Sequence, residues 1–342
     1  MHQFVDRASG EVRDEDLFCD RLIAYLYGRT REQAPALFRA LTSGRTSSLL
    51  GFLNYDLPLG ARLSSADRLA RRLGIDLDEC VRPRAEYTTA RRIFERQIRY
   101  ETVRPMDESP TEVVSPADSR MFVGALEPGS VFFIKDKFFS FPELLGPEKR
   151  DWLAAFKDGD FAVFRLTPDK YHYNHVPVGG VVRDIYTIEG AFHSCNPTAV
   201  IHEVTPFSRN RRVVTILDTD VPGGAGCGLV AMVEVVALMI GQIVQAYSDH
   251  DYDAPQSLRP GMFLRKGRPK SLYRPGSSLD VLIFQKGRVE FCPDLRRHQG
   301  RTDVTNRFSD WLGRPWIETD VRVRETIAHV RHAGTERSLE AA

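Results

Sequence analysis

Short β-branched and aromatic runs dominate the chain from about residue 114 onward. VFFIKDKFF, FAVFRL, VVTIL and VLIFQKG are apolar stretches of strand length split by Gly and Pro, a texture that predicts a strand-rich region. The first hundred residues carry a helical period instead. DEDLFCDRLIAYLYG (14–28) sets Leu17, Leu22, Tyr25 and Leu26 near one face with Gly28 as a stop, and REQAPALFRALTS (31–43) repeats the period. LSSADRLARRLGIDLDE (63–79) offers Ser64 or Ser65 as a cap and Gly74 as a terminator. TTARRIFERQIRYE (88–101) interleaves Arg91, Arg92, Arg96 and Arg99 with Ile93, Phe94 and Ile98. That segment reads either as a solvated arginine face over a core stripe or as a basic surface seated on anionic lipid headgroups. RPMDESPTEVVS (104–115) is polar and proline-bearing and marks a linker. The expected architecture is α+β: a helical N-terminal region over 1–104, then a strand-rich, sandwich- or barrel-like domain over 105–342.

Composition narrows the class without changing that picture. The 342 residues are 42% hydrophobic and 27% charged, an ordinary soluble balance. A net charge of +1 gives no reason to expect nucleic acid as a partner. Cys19, Cys80, Cys195, Cys227 and Cys292 form no C-x-x-C pair, which argues against a disulfide framework and fits a reducing, cytoplasmic compartment. The N-terminus is charged within its first seven residues and lacks an apolar core of signal-peptide length. CGLVAMVEVVALMIGQIV (227–244) is the most apolar run, yet Glu234 sits in its middle and valine abounds. Buried strands are expected there rather than a membrane span.

Three polar clusters punctuate the strand-rich part. SPADSR (115–120) has the chemistry of an Asx-type turn. RLTPDKYHYNHVPVGG (165–180) holds His172 and His175 three residues apart, with no cysteine or third histidine spaced to complete a metal site. RPGSSLDVLIFQKG (274–287) places a Pro-Gly turn and two serines at the mouth of an apolar strand. Together they supply an Asp, a His and a Ser, a trio able to activate a hydroxyl. No G-x-S-x-G elbow surrounds the serine, so an α/β-hydrolase is unsupported.

The order of these clusters resembles the phosphatidylserine decarboxylase family, from about residue 8 to about residue 328. VVSPADSRM resembles the family's Ser-Pro-Ala-Asp-Gly block, and TTARRIFERQIRYETVRP its Phe-Asn-Asp-Phe-Phe-x-Arg-x-Leu segment ending in Arg-Pro. FRLTPDKYHYNHVPVGG resembles the Tyr-His-x-x-His-x-Pro block, CNP (195–197) the short Asn-Pro motif, and PGSSLDVLIFQKG the Gly-Ser cleavage block. The resemblance implies a self-processing triad of Asp118, His175 and Ser277, with Gly276-Ser277 as the scissile bond. It assigns His172 to the decarboxylation step, with Tyr171 and Asn196 as substrate-pocket candidates and no metal.

The implied cofactor is a pyruvoyl group made from Ser277. Its carbonyl forms a Schiff base with a substrate amine and accepts the electrons left when CO₂ departs. The implied reaction turns phosphatidylserine into phosphatidylethanolamine, in an enzyme peripheral on an anionic membrane surface. Cleavage leaves a β fragment (1–276) and an α fragment (277–342) held together noncovalently, with room for a homodimer. Some neighbours depart from the family pattern. Pro269 stands where Glu is usual, Ser271 where Gly is usual, Pro275 replaces an aromatic residue, Arg211 reverses a charge, Tyr173 replaces Arg and Ser119 replaces Gly. These departures motivate one alternative, a decarboxylase of a soluble amino acid in specialised metabolism; another, an unprocessed, non-enzymatic lipid-binding relative, is argued against by the retained Asp, His and Gly-Ser.

Overall fold

The computed structural model describes residues 1–17, 20–25, 27, 63–126, 138–203, 205–237, 242–275 and 278–331. Its first strands are β1 (Gln3–Asp6), β2 (Val12–Asp14), β3 (Glu112–Val114), β4 (Ser119–Ala125), β5 (Asp160–Leu166) and β6 (Tyr173–His175). There follow β7 (Gly180–Ile188), β8 (Arg212–Asp218), β9 (Leu229–Val236), β10 (Ile243–Gln245) and β11 (Phe263–Leu264). The last are β12 (Pro269–Tyr273), β13 (Ser278–Phe284), β14 (Val289–Phe291), β15 (Glu318–Val321) and β16 (Thr326–Val330). Short helices fill the connections, so the chain is α+β.

Ten strands make one sheet in the order β11-β7-β8-β9-β13-β5-β4-β15-β1-β2. It is an open sheet with β11 and β2 at its edges, not the closed barrel that the strand texture also allowed. Among the described residues, two three-stranded sheets, β10-β12-β6 and β14-β16-β3, make up the rest of the β structure. β13 is central. All seven of its residues are buried and paired with β5 on one side and β9 on the other. Side chains alternate across a strand, and β13 follows that rule. Leu282 and Phe284 join a core shared with Val176 and Val178, while Leu279, Val281 and Ile283 join a core shared with Phe141, Val200 and Phe308. Burial on both faces explains why the run reads as continuously apolar.

The beginning of the chain differs from the helical expectation. β1 pairs in parallel with β15 and antiparallel with β2, so the N-terminal residues are part of the main sheet. Within 14–28 the described helix is Asp20–Tyr25. The expected helix over 31–43 lies outside the described residues. In 63–79 the helix begins at Leu63, one residue ahead of the serines, and ends at Arg72 before Gly74, whose φ is +66°.

The arginine-rich segment 88–101 is not one helix. Helices cover Ala90–Phe94 and Tyr100–Val103, and residues 97–99 pair with 79–81 instead. The Val81 amide donates to the Gln97 carbonyl and the Arg99 amide to the Glu79 carbonyl, both at 2.9 Å. Those bonds replace the i to i−4 ladder, so the four arginines share no single face. Arg99 turns to the Cys80 and Asp78 carbonyls, and Arg96 is buried. The apolar 227–244 run contains β9 and β10. Among the described residues no helix is long and apolar enough to cross a membrane.

Candidate functional site

The two histidines sit on and beside β6, which is clasped from both sides. The His175 amide donates to the Pro116 carbonyl at 2.7 Å, joining the Ser-Pro-Ala-Asp turn to the histidine strand. On the other side β6 pairs with β12, His175 opposite Pro269 and Tyr173 opposite Leu272. Pro269 lies at the register shift in that pairing, a position where proline's missing N–H breaks no ladder bond. The Tyr273 amide then donates to the His172 carbonyl at 3.0 Å.

Gly276 and Ser277 lie outside the described residues. Their flanks are well defined: β12 ends at Tyr273 against His172, and β13 begins at Ser278 between Leu166 and Val236. The turn is therefore bounded on one side by the histidine strand and on the other by the centre of the main sheet.

His175 is fully buried, with Nδ1 2.8 Å from the Gly267 carbonyl and Nε2 2.9 Å from the Tyr171 hydroxyl. A carbonyl can only accept, so Nδ1 carries the proton and Nε2 keeps its lone pair. Tyr171 donates to that lone pair and lies 2.7 Å from the Tyr252 hydroxyl. Burial, aided by Arg324, pulls the His175 pKa down to about 3 against the opposing Gly267 bond. Gly267 has φ +74°, and a Cβ there would collide with Met106, so only glycine presents this carbonyl without strain.

His172 is likewise buried and depressed to about 3, by burial and then by Arg96. Its Nδ1 donates to the Lys170 carbonyl at 2.7 Å, and its ring lies on Phe94 with centroids 3.5 Å apart. Nε2 has no hydrogen-bond partner among the described residues. Of the two histidines, His172 therefore has the open basic nitrogen.

Asp118 does not orient His175 by a direct hydrogen bond, as a Ser-His-Asp arrangement would have it. Its carboxylate is forked by Arg104 at 3.1 and 2.9 Å and accepts the Val323 amide at 2.8 Å. Burial pushes its pKa up, but Arg104 more than offsets that and holds it below the usual range. The negative charge still reaches both histidines and favours their protonated forms. Tyr171 has its hydroxyl engaged by His175 and Tyr252. Asn196 caps the helix Pro197–His202 by accepting the Thr198 amide at 2.8 Å.

Beside β6 lies a buried polar wall. Glu234 and Lys270 meet at 2.7 Å with both side chains fully buried. Glu234 also accepts from Ser271, from Asn174 at 3.2 Å and from Gln245 at 2.8 Å. Lys270 overcomes the penalty of burial and holds Glu234 ionised. This wall ties β6, β9, β10 and β12 together, and Asn174 is the neighbour of His175.

Asp280, opposite Glu234 in the β13–β9 register, behaves differently. Burial first, then the Glu234 charge, raises its pKa well above the ordinary value. The Tyr273 hydroxyl has one proton but two acceptors in range, the Leu279 carbonyl at 2.7 Å and Asp280 Oδ1 at 2.8 Å. A neutral Asp280 resolves this: the acid donates to Tyr273, and Tyr273 donates to Leu279. Asn174 Oδ1, Ser278 Oγ and Asp280 Oδ2 are buried without a partner among the described residues.

Sequence reading marked Glu234 as an anomaly in an apolar run without joining it to the site, and Ser271 as an altered neighbour of the pocket without a partner. Arg104 lay in the recognised Arg-Pro ending without a role. Gly267 lay in the KGRPKS stretch (266–271), which resembles a family block before the cleavage site, but was given no role, and Tyr252 gave no local signal because its partners are distant in the chain. Elsewhere, ligand atoms of His2, Glu15 and Glu318 lie within 4.8 Å of one another. Arg165 already binds both carboxylates, at 2.6 and 2.7 Å at its nearest approaches, and supplies the compensating charge.

Comparison with known proteins bears on this arrangement. The family model described as phosphatidylserine decarboxylase matches residues 91–308. A phosphatidylserine decarboxylase proenzyme of Bordetella petrii is 32% identical over 244 residues, 67% of this chain and 81% of that protein. One from Idiomarina loihiensis is 31% identical over 239 residues, 66% and 78% respectively. One from Fusobacterium nucleatum is 25% identical over 303 residues, 86% and 90% respectively.

Proposed function

The chain belongs to the phosphatidylserine decarboxylase family, a family of carboxy-lyases, and from that premise we propose that it cleaves itself at Gly276-Ser277 and then decarboxylates phosphatidylserine. The observation that carries this reading is the pair of buried, neutral histidines on the strand that brackets the turn. His175 keeps a basic Nε2, and His172 keeps one without a partner.

In the processing step His175 Nε2, released by Tyr171, takes the Ser277 hydroxyl proton. Ser277 Oγ attacks the Gly276 carbonyl carbon, and the peptide bond gives way to an ester. β-Elimination releases the Gly276 carboxylate and leaves dehydroalanine, which takes up water and loses ammonia to give a pyruvoyl end. Asp118, pinned by Arg104, supplies negative charge that favours the transient imidazolium. The pyruvoyl carbonyl supplies an electron sink for loss of CO₂. The unpartnered polar atoms of Asn174 and Ser278 fit a site that accepts a further polar group. His172 is the proton donor to the carbon that loses CO₂, after taking up a proton at Nε2. A lipid substrate places the protein peripherally at an anionic, cytoplasm-facing membrane surface.

Denaturing electrophoresis of purified protein should show fragments 1–276 and 277–342, and a single band for Ser277→Ala. Processed protein should release CO₂ from phosphatidylserine vesicles. One intact band from the unaltered chain rejects self-processing. Release of CO₂ from free amino acids but not from the lipid rejects the substrate.

A further inference from the structure

A cavity of about 220 Å³ lies beside the histidine strand. Arg82, Arg92, Arg96, Tyr173 and Leu272 are among its walls. Tyr173 and Leu272 are register partners in β6 and β12, the same two strands that carry the histidines and lead to the turn. Phe94, on the helix that carries Arg92, lies against the His172 ring.

The carboxylates of this cavity are already engaged. Glu95 accepts from Arg91 at 2.8 Å and from Arg274 at 2.9 and 2.8 Å, and Glu86 lies 3.5 Å from Arg82. Arg92 and Arg96 have only carbonyls. Arg92 donates to Glu86 O at 2.9 Å, and Arg96 to Ile93 O at 3.1 Å and Asp169 O at 2.8 Å. Among the described residues neither guanidinium forms an ion pair. Arg96 is only 6% exposed. Burial lowers its pKa, and the neighbouring Cys80, Asp118 and Asp169 offset this only in part. A buried cation without a counter-ion is costly, and a guanidinium fork matches the oxygens of a phosphate.

We infer that this cavity holds the phosphate of the substrate, with Arg92 and Arg96 donating to its oxygens and the amino-acid end directed toward the histidines. The inference rests on the decarboxylase reading and assigns the phosphate of its substrate to named residues of this chain. A lipid headgroup and a soluble phosphate ester share that chemistry, and the test separates them.

Titration calorimetry with inorganic phosphate, on the uncleaved Ser277→Ala chain, reads the site without turnover. Phosphate should bind, and Arg92→Gln, at an exposed position, should weaken it about tenfold. Arg96→Lys keeps the charge but loses the fork and should weaken it similarly. In the cleaving chain, Arg92→Gln should still yield two bands. Its KM should rise on the order of tenfold for both micellar phosphatidylserine and soluble glycerophosphoserine. Unchanged phosphate binding in Arg92→Gln overturns the inference. So does a KM effect confined to the micellar lipid, which would place the arginines at the membrane surface. Phosphate binding that depends on Arg92, in a chain that neither cleaves nor releases CO₂, upholds the anion site and removes the decarboxylase reading.

Discussion

Replacing Lys270 with methionine isolates the polar wall beside β6. Lys270 Nζ lies 2.7 Å from Glu234 and 3.1 Å from Gln245 Oε1, and both members of the ion pair are fully buried. The substitution conserves most of the volume but leaves a carboxylate without a counter-charge. Breaking a buried pair from one side costs about 3–5 kcal/mol. Ser271, Asn174 and Gln245 still donate to Glu234, so the loss should fall near the lower end, about 3 kcal/mol. Adding Glu234→Gln removes the stranded charge. The double variant should return to within about 1 kcal/mol of the parent, a coupling of about 2 kcal/mol or more. Urea unfolding of the uncleaved Ser277→Ala chain measures all four corners of the cycle on one polypeptide. In the cleaving background the single variant should process more slowly and the double should recover, because Asn174 is bonded to the same carboxylate and adjoins His175. A single-variant loss below about 1 kcal/mol, or a double-variant loss equal to the sum of its parts, refutes the reasoning.

Acid should destabilise the uncleaved chain through His172 and His175. Their folded pKa values of about 3 lie below the unfolded value, so stability is full above about pH 6.5 and is lost as pH falls toward 3. Each histidine removes about 2 kcal/mol by pH 5, and a His175→Gln chain should lose about half of that slope in urea titrations at pH 7 and 5. Asp280 acts in the opposite direction, because its raised pKa keeps it protonated in the fold. Stability from this group is greatest in acid and falls as pH rises. Asp280→Asn should therefore gain on the parent as pH rises from 5 to 7. A pH-independent difference would show that Asp280 is ionised.

The strands of the sheet centre were legible because short apolar runs rich in β-branched residues and bounded by turn residues mark strands buried on both faces. β1 was not legible. QFVD is four residues long, and its pairing partner begins at Glu318, at the other end of the chain. In 88–101 the apolar positions were read correctly, since Ile93, Phe94 and Ile98 are all buried. The periodicity carried no information about the pairing with 79–81 that takes the backbone at 97–99 out of the helix. The histidines were visible as a spaced motif, and the Gly-Ser turn as a strand mouth. Their orientation was not visible, because it depends on a carbonyl at Gly267, a hydroxyl at Tyr171 and an arginine at Arg104 that tertiary structure brings in from elsewhere.

The position of the turn also bears on what cleavage can change. The fragment that begins at residue 277 supplies β13 to the middle of the main sheet, β15 between β1 and β4, and β16 beside β3. β13 is paired along its whole length on both edges, so breaking the bond before it removes none of the ladder bonds that hold it. The new chain end would then be anchored one residue from a fully buried strand, while the other end leaves from β12, paired to the histidine strand. If the chain is cut before Ser278, the pairing of β13 with β5 and β9 along its whole length would hold the two fragments together.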